Sequence, residues 1–205
     1  MGSSPPVTVV NVGYRSVNVW VVSARTSRLL VDLGWPGMAG RLLANLARKG
    51  IPLAEIRYGL ATHYHPDHAG GAQDLKNRGM RLLMTEQQVE AIPRMKRWTK
   101  PGDHYTEIAA HDNLVIRCAE SRSFLAPLGI AGEIVHTPGH SDDSVTLVLE
   151  GGCAFIGDLT PESMAPAADR AVVARSWRLL RERGATTVHA GHGPVRPFPL
   201  PIAAR

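Results

Sequence analysis

The chain predicts an α/β fold in which two halves pack as a sandwich, and three observations carry that expectation. Short β-branched strands followed by a helix occur twice, once in each half. No Pro-, Gly- or Ser-rich linker separates the halves, so residues 1–205 are assigned to a single domain, with 1–6 as a loose leader and 196–205 as a Pro-rich tail. Hydrophobic residues make up 44% of the chain and aromatics only 5%, so the core has to be built mostly from aliphatic side chains and alanine.

In order, "VTVVNVG", "VNVWVVSA" and "SRLLVDLG" read as strands, the last ending in Asp32 and Gly34. Gly34-Trp35-Pro36-Gly37 then breaks the chain. In "MAGRLLANLARKG", Leu42, Leu43, Leu46 and Ala47 fall at helical spacing and Gly50 marks the stop. "IRYGLAT" is a short buried strand, "HAGGAQDLKNRG" a helix ending at Gly79, and "MRLLMT" a strand. Thr85 caps a short helix, "EQQVEAI". Residues 92–112 have no clean period and contain Pro93, Pro101 and Gly102, which predicts a long loop or irregular helix of the functional or mobile kind.

The second half repeats the alternation. "NLVIRC" and "GEIVHT" are strands flanking the irregular or helical "SRSFLAPLG". "SVTLVLEGG" and "CAFIGD" form a hairpin at Gly151-Gly152. "APAADRAVVARSWRLLRERG" is a long amphipathic helix, and "TTVHAGHGP" a last strand and loop.

The formal charge of +5 and pI near 9.6 are compatible with an anionic small-molecule substrate. The 23 Lys and Arg are scattered without a run of five, so nucleic acid is not an expected partner. Cys118 and Cys153 fall in two different predicted strands without CxxC spacing, as small buried thiols of a reducing compartment do. "MGSSPPVTVV" lacks the basic and apolar segments of a secretion signal, and no apolar run approaches the ~20 residues that span a bilayer. A cytoplasmic protein is the expectation; the oligomeric state is left open.

The chemistry concentrates in "THYHPDHAGG". In an extended segment alternate side chains share a side, so His63, His65 and Asp67 point together, and His68 can swing back beneath them if a helix starts there. Without a cation, these groups would repel or stay unsatisfied. The pattern suits two metals, His63 and His65 on one, Asp67 and His68 on the other. Catalytic zinc usually keeps about three protein ligands, so more are needed. His140 in "TPGHSDDS", Asp158 in "AFIGD" and His192 in "HAGHGP" each end a strand beside glycine and supply them. A carboxylate such as Asp158 can bridge two cations roughly 3.5–4 Å apart. The isolated His104, His111, His136 and His189 read as hydrogen-bonded structural residues.

"THYHPDHAGG", followed in order by "HTPGHSDDS", "FIGD" and "AGHGP", and preceded by "LLVDLG", resembles the metallo-β-lactamase superfamily over residues 8–195. The resemblance implies a four-layer αββα sandwich of two mixed β-sheets flanked by helices. It implies His63, His65 and His140 as ligands of a first divalent ion, Asp67, His68 and His192 of a second, and Asp158 as their bridge. Asp32 is similar to the carboxylate that orients the histidine loop. Two zinc ions are the default, with manganese or iron as the other choices.

The activity implied is hydrolysis of an ester-like bond, in a lactone, thioester or similar small molecule, by a hydroxide shared between the metals, with Asp67 passing a proton to the leaving group. Asp158 places the chain nearest glyoxalase II, acyl-homoserine lactonases and ribonuclease Z. It has no helical domain after His192, no tyrosine soon after Asp158 and no evident RNA-binding arm, so each match is partial. The alternatives are β-lactamase or phosphodiesterase activity on the same site, a mononuclear iron persulfide dioxygenase, or a non-catalytic metal-binding module. Residues 92–112 interleave Arg94, Lys96, Arg97 and Lys100 with Trp98 and Tyr105, as either a solvated face or a lid over the metals in which Arg94, Arg97, Trp98 and Tyr105 touch substrate.

Overall fold

The computed structural model describes residues 7–198, so the leader 1–6 and tail residues 199–205 lie outside the described residues. One sheet contains β1 (Thr8–Asn11), β2 (Trp20–Ser23), β3 (Arg28–Val31), β4 (Ile56–Leu60), β5 (Arg81–Thr85) and β6 (Leu114–Ile116) in that spatial order. β1 to β3 are antiparallel neighbours, and β3 to β6 run parallel. The other sheet contains β7 (Gly132–His136), β8 (Val145–Leu149), β9 (Cys153–Gly157), β10 (Thr187–Ala190) and β11 (Arg196–Pro197), ordered β11-β10-β9-β8-β7. Only β9 and β10 are parallel there. The helices are α1 (Ala39–Arg48), α2 (Pro66–Ala69), α3 (Ala72–Lys76), α4 (Ser121–Leu125) and α5 (Arg170–Glu182).

Three apolar layers hold these elements as the expected αββα sandwich. Leu42 and Leu46 of α1 and Leu75 of α3 pack on Val21, Leu30 and Leu82 of the first sheet. The alternate faces of those strands, Val22, Leu29, Leu60 and Leu83, meet Ile134, Val145, Leu147 and Phe155 of the second sheet. Val148, Ala154 and Ile156 on that sheet's far side take Val173, Trp177 and Leu180 of α5. The inner strands are covered on both faces, which is why they read as continuous aliphatic runs rather than as alternation.

Several local expectations change. The segment 68–79 is not one helix: it breaks between α2 and α3 because Gly71 docks against the β3 exit, its N–H donating to Gly34 O at 3.0 Å. A Cβ there would stand 2.4 Å from Leu33 O. Thr85 takes the N-cap position as expected, its N–H donating to Gln88 Oε1 at 3.0 Å while its hydroxyl has no partner, but the helix is 3₁₀ and runs on through Trp98 (Glu86–Trp98). The irregular-helix alternative for 92–112 therefore holds as far as Trp98, and loop begins at Thr99, seven residues later than 92. α5 starts at Arg170 rather than near Ala165. Cys118 opens a 3₁₀ turn (Cys118–Glu120) instead of lying in a strand, while Cys153 does begin β9; both are free and partly buried. Part of the Pro-rich tail pairs as β11 with β10. Among the described residues no helix is long and apolar enough to cross a membrane.

Candidate metal centre

The parallel strands β3 and β4 end on the same edge of the first sheet, and β9 and β10 end on the adjoining edge of the second. The loop after β4 carries His63 to His68; the loops after β7, β9 and β10 carry His140, Asp158 and His192. Val145 N–H donates to Thr62 O at 2.8 Å and Asn18 N–H to Gly191 O at 2.7 Å, so backbone hydrogen bonds sew the two sheets together around the cluster.

The seven residues converge in two adjoining groups. In the first, His65 Nδ1 lies 3.1 Å from His63 Nε2 and 3.0 Å from His140 Nε2. The ligand atoms of His63, His65 and His140 all lie within 4.8 Å of one another. A tetrahedral ion with bonds of about 2.0 Å separates its ligand nitrogens by about 3.3 Å, close to this spacing. In the second group, Asp67 Oδ2 lies 3.4 Å from His68 Nε2 and 3.1 Å from His192 Nε2. Asp158 Oδ2 lies 3.4 Å from both of those nitrogens and 3.9 Å from His140 Nε2, so it faces both groups.

The surroundings fix which nitrogen of each ring faces inward. Asp32, buried just past β3, accepts the N–H and hydroxyl of Thr62 on Oδ1, both at 2.8 Å. Its Oδ2 accepts His68 Nδ1–H at 2.9 Å, which leaves His68 Nε2 unprotonated toward the cluster when that ring is neutral. Thr62 Oγ1, having donated to Asp32, accepts from His63 Nδ1 at 3.2 Å, freeing His63 Nε2 likewise. Ser16 O accepts from His192 Nδ1 at 2.7 Å. His68 Nε2 is nevertheless buried without a hydrogen-bond partner. Buried polar atoms of this kind call for an explanation, and an ion among these donors provides one, so the residues fit a divalent metal.

Electrostatics points the same way. Burial, reinforced by the imidazoles of His68, His140, His65 and His192, holds His63 well below its ordinary pKa. Burial also opposes charge on His68, but the carboxylates of Asp32, Asp158 and Asp67 outweigh it and raise that ring well above its ordinary range. Burial would raise Asp67 and Asp158; the neighbouring His68 overrides it, bringing Asp67 to about 2 and lowering Asp158. Burial lowers His140 against the pull of Asp158. The carboxylate half of the cluster thus draws positive charge, while the imidazole half turns bare lone pairs inward.

Close packing holds the site in shape. A Cβ on Gly191 would meet His68 Cε1 at 2.4 Å and Asp158 Oδ1 at 2.5 Å, so only glycine lets the β10 loop approach. Some supporting residues escaped the sequence reading. Thr62, Gln88 and Asp143 fix the histidine loop: Gln88 Nε2 donates to Ala61 O at 2.8 Å, and Asp143 Oδ2 accepts Tyr64 N–H at 2.7 Å. Thr62 and Asp143 lie inside "THYHPDH" and "HSDDS", so their adjacency to the ligand-type residues was the available signal. The spacing Thr85-x-x-Gln88 marked Gln88 as a capping residue but not its reach to Ala61 O.

The segment 92–112 divides. The Trp98 ring, 61% exposed, lies 5.5 Å from the His65 ring, at the mouth of the cluster. Arg94 and Arg97 are exposed on the same 3₁₀ run. Tyr105 instead packs against the helix-side core, its hydroxyl accepting from Ile108 N–H at 3.4 Å, so it supports the segment from beneath. Lys96 pairs with Glu107 at 2.7 Å on the surface. Outside the cluster, His136 Nε2 meets Asp142 O at 2.7 Å. His189 Nδ1 has no hydrogen-bond partner, and the ring packs against Trp20 and Phe155.

The sequence profile of the metallo-beta-lactamase superfamily matches residues 12–192. The chain is 33% identical over 138 residues to the lactamase-like protein notP of an Aspergillus species, covering 66% of this chain and 36% of that protein. It is 31% identical over 147 residues to an atrochrysone carboxyl ACP thioesterase of Aspergillus fumigatus, covering 70% and 29% respectively. A beta-lactamase-like protein 2 homolog of Caenorhabditis elegans is 25% identical over 186 residues, covering 88% and 57%. The chain therefore spans less than two thirds of the length of each of these relatives. Among solved structures, a metallo-beta-lactamase family protein from Thermus thermophilus superposes with a TM-score of 0.71 at 22% identity, covering 94% of this chain and 75% of that one. The metallo-beta-lactamase MIM-1 from Novosphingobium pentaromativorans gives 0.67 at 20% identity, covering 90% and 73%. At these identities the two structures establish the fold.

Proposed function

The chain belongs to the metallo-β-lactamase superfamily, and on that premise we propose that it is a metal-dependent hydrolase of an ester-like bond in a small molecule, with a thioester as the first choice of substrate. One observation carries the metal reading: seven His and Asp side chains converge from four loops around a buried, unpartnered His68 Nε2. His63, His65 and His140 would hold one divalent ion, Asp67, His68 and His192 a second, and Asp158 would contact both. Five imidazoles and two carboxylates favour zinc. When bound, such a pair supplies an acidified water and an electrophilic partner for a developing oxyanion.

The chain's own residues do the rest. Asp32 and Thr62 hold His68 and His63 in the tautomers that aim Nε2 inward. Asp67, partly exposed at the cluster, takes up a proton and passes it to the leaving group. Trp98 covers the His65 side of the mouth against the acyl part of the substrate, and Arg94 and Arg97 hold a distant anionic group. The preference for a thioester rests on the relatives named as ACP thioesterases, at 31% and 27% identity.

The test is metal analysis of purified protein combined with a panel of thioesters, lactones, β-lactams and phosphodiesters. The expected result is close to two ions per chain, with thioester turnover that chelation abolishes and metal restores. One ion at full activity would overturn the dinuclear reading; turnover confined to β-lactams or phosphodiesters would overturn the substrate.

A further inference from the structure

The parallel strands β3 and β4 present the metal-type residues beyond their C-terminal ends, and a second concavity opens at the opposite ends. It has a volume of about 660 Å³ and is walled by three turns: the β2–β3 hairpin, the 3₁₀ turn Leu53–Glu55 entering β4, and the turn from α3 into β5. Arg25, Arg28, Arg57, Arg78 and Arg81 line it, against one carboxylate, Glu55. Five positive charges less one negative leave a formal +4 here, beside +5 for the whole chain. Arg28 opens β3 and Asp32 follows its last residue, about 13 Å away at ~3.3 Å per residue, so a group bound here stays clear of the histidines.

The hairpin under Arg25 is anchored, and Arg57, Arg78 and Arg81 each have a neighbour that orients them. Ala24 N–H donates to Ser27 O at 2.9 Å and Ser27 Oγ to Leu128 O at 2.6 Å, which anchors the hairpin that carries Arg25. Register sets Tyr58 beside Arg81, and the guanidinium carbons of Arg81 and Arg57 lie 5.5 and 5.7 Å from the Tyr58 ring centroid. Arg78 Nη1 donates to Asp74 O at 2.6 Å. Among the described residues, only Arg28 of the five has a carboxylate partner, Glu55. Four guanidiniums thus share one concavity without counter-charge, and their planar forks match phosphate oxygens.

We propose that this pocket binds the diphosphate group of a small molecule through Arg25, Arg57, Arg78 and Arg81. The volume lies within the roughly 300–1,000 Å³ of small-ligand sites. Phosphate recognition dominates, because among the described residues no aromatic side chain lines the pocket, and Tyr58, against which Arg57 and Arg81 pack, is 5% exposed and offers a base no face to stack on.

Isothermal titration of ADP, AMP and adenosine into the metal-loaded protein tests this. ADP should bind, AMP should bind more weakly, and adenosine should give no heat. Added salt should weaken ADP binding. Arg25→Gln/Arg57→Gln should weaken it about a hundredfold, at about tenfold for each charge-assisted hydrogen bond removed. Metal content and any hydrolase activity should not change. Both positions are exposed; should the double variant melt early, Arg78→Gln alone is read by the same criteria. Failure of the parent protein to bind ADP overturns the proposal. Equal ADP affinity in the parent and the variant overturns it too, because ADP then binds elsewhere on the protein. A single-stranded oligonucleotide that binds more tightly than ADP, and is lost in the same variant, makes the pocket a nucleic-acid contact instead.

Discussion

Replacing Asp32 with asparagine would test whether the cluster depends on a buried carboxylate rather than on shape. Asp32 is 1% exposed and sits at φ 64°, a left-handed backbone that asparagine tolerates, so the main chain need not move. The amide oxygen of Asp32→Asn can keep both Thr62 donors at the Oδ1 position. The amide NH2 then occupies the Oδ2 position, 2.9 Å from His68 Nδ1. Two donors would face each other there, so His68 adopts the tautomer with its proton on Nε2, the nitrogen aimed at Asp67 and Asp158. That nitrogen can no longer ligate. A mismatched buried hydrogen bond costs about 1–3 kcal/mol, equivalent to roughly 5- to 150-fold in an equilibrium constant, in line with the 10–100-fold effects typical of residues behind a metal ligand. Competition with a chromophoric chelator should therefore show zinc held about 10–100-fold more weakly, with turnover falling in parallel. Parental zinc affinity in Asp32→Asn would refute the tautomer argument.

Gly191→Ala should displace His68 or Asp158, since its Cβ would fall 2.4 and 2.5 Å from their atoms; overpacking of this kind costs about 1–3 kcal/mol, and a lower melting temperature together with loss of metal is expected in calorimetry and metal analysis. His140→Ala should lose metal and most activity, whereas His136→Ala, whose Nε2 meets only the Asp142 carbonyl, should keep both; equal metal loss from the two variants would contradict the assignment. Trp98→Ala should raise KM for apolar acyl substrates more than it lowers kcat, and Arg94→Gln/Arg97→Gln should do the same for anionic ones, with metal content intact in each case. Unchanged KM values across both would return that surface to ordinary solvated side chains.

Local pattern was enough for much of the architecture. β-branched runs such as "VNVWVVSA" and "SVTLVLEGG" declared strands, the Leu42, Leu43, Leu46 spacing declared α1, and Gly151-Gly152 declared a hairpin, because each depends on neighbours a few positions away. The density of histidines in "THYHPDH" likewise pointed to a cation site, since few other arrangements leave so many polar groups satisfied. Boundaries were less legible. The break at Gly71 depends on Gly34 O, and the long 3₁₀ run ending at Trp98 is anchored by Gln88 reaching Ala61 O. Neither partner is local in sequence.

The sequence alone determined which residue types were available and which side of each strand was apolar. Tertiary structure alone decided that His65 and His140, 75 positions apart, bring their nitrogens to 3.0 Å, that His68 Nε2 is left buried without a partner, and that five arginines from three turns share one hollow. The physical reason is that spacing along a chain encodes direction over a turn or a strand, whereas convergence across the molecule depends on strand order and on how two sheets register when their aliphatic faces meet.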